Sequence, residues 1–93
     1  MQLFRKLLIK RGPFSEISDQ PIDPGPINFM HVIRKGKYPE AMLDEDNIII
    51  ATVDEHHSWD NDRASIKDNP IWEWVFDREE KLLLWYIQGL KSL

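Results

Sequence analysis

The densest run of chemically capable side chains in this sequence is Asp54-Glu55-His56-His57-Ser58-Trp59-Asp60-Asn61-Asp62. Neutral imidazoles and carboxylates are what a Zn²⁺, Mn²⁺ or Ni²⁺ site uses, and the same groups serve general acid–base catalysis. Adjacent histidines diverge on an extended backbone, however, and the segment offers neither a His-x-x-x-His pair nor a cysteine. An EF-hand reading starting at Asp60 and Asp62 fails at three places: Ala64 cannot ligate, Ser65 stands where the sharp turn needs Gly, and Ile71 stands where a bidentate Glu is needed. The expectation is an exposed acidic loop with no metal and no cofactor.

Other catalytic constellations are weaker still. A nuclease built on His56 or His57 needs a basic surface to hold phosphate, and these histidines stand among carboxylates. His31 lies in a strand-like stretch, where a packed or edge role is the common one. There is no cysteine nucleophile, no serine in a nucleophile-elbow context, and the glycines at 12, 25, 36 and 89 are too scattered for a P-loop or dinucleotide fingerprint. The chain therefore reads as a non-enzyme. The alternative kept open is a small metal- or His-dependent enzyme using Asp54, His56, His57 and Asp60.

Charge is more informative than motif. Residues 1–39 hold seven Lys/Arg against three Asp/Glu, residues 40–80 three against thirteen, and residues 81–93 two against none. So acidic a middle favours a partner with a basic protein surface and disfavours direct binding of nucleic acid. Arg34, Lys35 and Lys37 would form a basic patch with Arg5, Lys6, Lys10 and Arg11 only if the two segments are neighbours. Glu55, Asp60 and Asp62 are the candidate partner-binding carboxylates, with Trp59 as the aromatic anchor, because Trp is enriched at interface hot spots. In size, charge and lack of catalytic motifs the chain resembles small acidic inhibitors of the immunity-protein or antitoxin type, which occlude a basic enzyme such as a nuclease toxin. A homo-oligomeric subunit closing on its own aromatic face is a further alternative.

The elements that must position these residues follow from periodicity. Ninety-three residues suffice for one domain, 1–93, with a thin core. Residues 1–11 fit a short amphipathic helix carrying Leu3, Phe4, Leu7 and Leu8 on one face, stopped by Gly12-Pro13. Four of the six prolines fall in 13–28, which reads as a loop. Ile27–Arg34 reads as a strand ended by Lys35-Gly36-Lys37, and Pro39 opens a helical turn to Leu43. Asn47–Val53 is β-branched enough to be a strand buried on both faces, whereas 54–70 is polar and irregular.

Residues 71–88 admit two readings. As a helix, Asp77 and Glu80 form a capping box, and Leu83, Tyr86, Ile87 and Leu90 share a face. As a hairpin over about 71–87, Trp74 pairs with Leu83 and Trp72 with Trp85 across a turn at Asp77–Glu80, which keeps Leu84 and Trp85 from solvent. The hairpin is preferred. The expected fold is α+β: a small antiparallel sheet of three to five strands with one short N-terminal helix. The longest apolar runs fall far short of the ~20 residues that span a bilayer, and residues 1–11 carry charges where a signal peptide is apolar. No membrane contact and a cytoplasmic location are expected.

Overall fold

The computed structural model describes residues 2–34, 36 and 38–89. Its first helix, α1 (Gln2–Arg11), ends where glycine permits. Gly12 adopts a φ of 87° and its N–H donates to Leu8 O at 2.8 Å, a left-handed cap open to glycine at little steric cost. The proline-rich stretch that follows forms one isolated bridge, Phe14 to Pro21, and a single 3-10 turn at Pro26–Asn28.

Strands β1 (Phe29–His31) and β2 (Ile48–Ile50) pair antiparallel, with Met30 opposite Ile49. Alternation along the pair sends Phe29, Ile48 and Ile50 toward α1, where Leu3, Phe4, Leu7 and Leu8 meet them. Met30 and Ile49 go to the opposite side with Val32, Ala51 and the main core. All three residues of β2 are buried, as a strand covered on both faces must be. Its outer side is closed by α1 and the loop after it: Arg11 Nη1 donates to Ile48 O at 2.6 Å, and Ile50 N donates to Glu16 Oε2 at 2.7 Å.

Among the described residues only two strands pair, against the three to five expected, and three α-helices replace the single one. Past His31 the chain leaves the ladder because a side chain substitutes for a strand. The wholly buried Asn47 accepts from Ile33 N at 2.7 Å and donates to Ile33 O at 3.1 Å and Ala41 O at 3.0 Å. A 3-10 turn opened by Pro39 spans Pro39–Leu43, as expected. Lys35 and Lys37, expected to end the strand and to join a basic patch, and Leu90 of the helical reading lie outside the described residues.

Residues 54–70 are not an irregular loop, because Thr52 and Glu55 start helix α2 (Val53–Asn61) with a capping box. Thr52 Oγ1 accepts from Glu55 N at 3.1 Å, and Glu55 Oε1 accepts from Thr52 N at 2.7 Å. Asp54 and Glu55 stand in the first turn, where the helix dipole favours negative charge.

The C-terminal hairpin is likewise replaced by a helix, α3 (Glu73–Ile87). Asn69 and Pro70 are its start signals: the Asn69 side chain accepts from Ile71 N at 3.2 Å, and Pro70 opens the turn Pro70–Trp72. Trp72, Val75, Leu82 and Tyr86 then fall on one buried stripe at helical spacing. Leu84 is 52% exposed, the penalty that the hairpin avoids. Trp85 is half-buried, with Lys81 Nζ 4.9 Å from its ring centroid. Among the described residues, no helix is long and apolar enough to cross a membrane.

Candidate functional site

Helix α2 carries all four of the expected partner-binding residues or ends at them, and it sends them to different places. Glu55 faces inward: besides closing the capping box, its Oε1 accepts from Ser15 Oγ at 2.6 Å, tying α2 to the proline-rich loop. Trp59 is 1% exposed, so its ring is core and not a surface anchor. Its Nε1 donates to Val32 O at 3.0 Å, and its ring stacks on Trp72 at 6.0 Å and meets Phe76 edge-on at 5.0 Å. The Arg63 guanidinium lies 3.7 Å from the Trp59 ring centroid while donating to Glu79 Oε2 at 2.6 Å, which joins α2 to α3. Asp62 is exposed and caps the end of α2 through its backbone, and its carbonyl oxygen accepts from Ser65 Oγ at 2.8 Å.

Asp60 lines a cleft. One turn earlier, His56 places Nε2 3.0 Å from Asp60 Oδ2, while His56 Nδ1 donates to Ile27 O at 2.6 Å. Both ring nitrogens are thus held by oxygens, which leaves neither free as a base. His57 points elsewhere, exposed and 3.4 Å from the Asn61 amide. Successive helical residues are turned about 100° apart, so the two histidines do not converge. Among the described residues, no three His, Asp or Glu side chains are grouped to hold a metal.

The cleft has a volume of about 620 Å³ and draws on three elements and the connection between the strands. Phe4 comes from α1, His31 from β1, Arg34 and Met42 from the connection between the strands, and His56 and Asp60 from α2. His31 sits on the α1 side of the sheet because it shares the face of Phe29. Its Nε2 donates to Met42 O at 2.9 Å, so in the neutral ring Nδ1 remains an acceptor. Arg34 Nη2 donates to Asp60 O at 2.8 Å, capping the last turn of α2. Phe4 is fixed by stacking on Phe29, centroids 4.1 Å apart.

Two sets stand out among the thirteen carboxylates of residues 40–80. Asp44 accepts from Tyr86 at 2.7 Å, Glu45 pairs with Lys6 at 3.3 Å and Lys10 at 3.9 Å, and Glu79 pairs with Arg63 at 2.6 Å; with Glu55 and Asp60 these are internal. Burial, followed by the Asp44 carboxylate, pushes the Tyr86 hydroxyl well above the ordinary tyrosine range. Asp68, Glu73 and Asp77 form the second set. They line a groove of about 300 Å³ between the segment 67–70 and α3, with Lys67, Asn69 and Phe76, and none has an ion-pair partner among the described residues. Glu73, Asp77 and Glu80 fall on one stripe of α3. A hairpin over 71–87 would not form this groove; the sequence signal for it is the spacing of Glu73 and Asp77, one turn apart at 3.6 residues per turn.

No family model, no curated protein and no solved structure matches this chain.

Proposed function

We propose that the chain is a protein-binding domain that docks a partner with a basic surface, using the carboxylates of the groove between the segment 67–70 and α3. The observation that carries this reading is the division of the acidic residues. Asp44, Glu45, Glu55, Asp60 and Glu79 are engaged within the molecule, whereas Asp68, Glu73 and Asp77 line one groove, exposed and without an ion-pair partner among the described residues. Like charges one helical turn apart, as at Glu73 and Asp77, cost a helix about 0.2–0.5 kcal/mol. Glu73 recovers part of this from the helix dipole in the first turn, but Asp77 and Glu80 lie beyond its reach. A partner's Lys and Arg would remove the repulsion, and half-buried Phe76 gives the groove an apolar wall.

Charge of this kind speeds encounter and selects partners. Such a domain would serve as a small acidic inhibitor that covers the active surface of a basic enzyme such as a nuclease, with the exposed Asp62 as a further candidate contact. Glu55 and Asp60 bond within the chain and stay outside this contact surface.

The test is capture from the source organism's lysate by the tagged chain and, in parallel, by the triple variant Asp68→Asn, Glu73→Gln, Asp77→Asn. The expected result is one stoichiometric basic protein held at low salt, released as salt rises past the ~8–10 Å screening regime, and absent from the variant. Equal recovery by both proteins, or retention indifferent to salt, overturns the reading.

A further inference from the structure

We infer that the cleft bounded by Phe4, His31, Arg34, Met42, His56 and Asp60 binds a small organic acid, its anionic head on Arg34 and its apolar body against Phe4 and Met42. The site shares no residue with the acidic groove, so either reading can fail alone. A volume of about 620 Å³ lies within the range of small-molecule pockets. Its walls are held before any ligand arrives: Phe4 by stacking on Phe29, His31 by Met42 O, His56 by Ile27 O and Asp60, Arg34 by Asp60 O. Binding to such a cleft requires little further ordering.

Charge identifies the head group. Lys6, Lys10, Arg11 and Arg63 each have a carboxylate at 3.3, 3.9, 3.2 and 2.6 Å respectively. Arg34 pairs with no carboxylate among the described residues, and its one bond, from Nη2 to a backbone carbonyl, leaves Nε and Nη1 available. The nearby carboxylate of Asp60 is turned onto His56 Nε2 at 3.0 Å and makes no ion pair with the guanidinium. A planar guanidinium fork suits a carboxylate or a phosphate monoester, and the unpartnered His31 Nδ1 can accept from a hydroxyl or amine on the ligand.

The experiment is a two-dimensional NMR titration of the full chain with phenylacetate, phenyl phosphate, inorganic phosphate and 2-phenylethanol. At least one of the two aryl anions is expected to give saturable shifts at Phe4, His31 and His56, binding about tenfold or more tighter than the alcohol or inorganic phosphate. Which aryl anion binds more tightly distinguishes a carboxylate head from a phosphate. Arg34→Gln should weaken the anion about tenfold and leave the alcohol unchanged. Because Arg34 also caps α2, Met42→Glu serves as a second variant that places a like charge on the wall without touching the cap; it should abolish anion binding. Three results overturn the inference: no saturation by either anion below about 10 mM, an alcohol that binds as well as the anions, or anion binding untouched in both variants.

Discussion

Tyr86 donates its hydroxyl proton to Asp44 inside the core, and burial of this hydroxyl beside a carboxylate makes stability depend on alkaline pH. The folded-state pKa is raised, first by burial and then by Asp44, so the native chain holds this proton more tightly than the unfolded chain. The contribution is fully present below the unfolded tyrosine value of about 10 and is lost as pH rises above it, at no more than about 1.4 kcal/mol per pH unit. Urea midpoints measured from pH 8 to 11 should therefore fall above pH 10, and Tyr86→Phe should flatten that fall. An equal slope in both proteins would show that other groups govern the alkaline limb. Glu55 illustrates the opposite fate of a polar residue at this scale. Its carboxylate looked available for a partner, yet Thr52-Val53-Asp54-Glu55 is a capping-box sequence readable without any structure. Acidic composition obscured it, because density of charge says nothing about which carboxylate a nearby N–H will capture.

At the scale of elements, α3 is the decisive case. A proline at Glu80, an exposed position in the middle of the helix, should cost about 3 kcal/mol or more through a lost backbone bond and a clash with the preceding turn. In a hairpin the same position lies in the connecting turn, where proline is tolerated, so the melting temperature of Glu80→Pro separates the two structures. Much was legible from local signals: α1 with its Gly12 stop, the proline-rich loop, the turn at Pro39, and a doubly covered strand at Ile48–Ile50. What escaped is what depends on contacts far apart in sequence. Trp72, Trp74 and Phe76 alternate as a strand would, but Trp59, delivered by α2, takes Trp72 and Phe76 onto its own ring. The cleft was equally hidden, since Phe4, His31, Arg34 and His56 meet only after α1, β1 and α2 have packed.

For the whole molecule, two helical layers enclose a sheet only two strands wide, α1 on one side and α2 with α3 on the other. Such a sheet keeps two rims, and a rim carrying Ile48-Ile49-Ile50 has the β-branched, uncharged character from which cross-β fibres grow. Arg11 and Glu16 occupy that rim. They engage Ile48 O and Ile50 N, while the Glu16 backbone N–H donates to Ile50 O at 2.8 Å. The double variant Arg11→Ala, Glu16→Ala should thus form thioflavin-positive aggregates at concentrations where the parent stays clear; a variant that merely melts earlier and remains dispersed would refute this. The ion pair of these two side chains, 3.2 Å apart, thereby acts as a stopper against templated polymerisation, keeping a chain with so narrow a sheet from recruiting its own copies strand by strand.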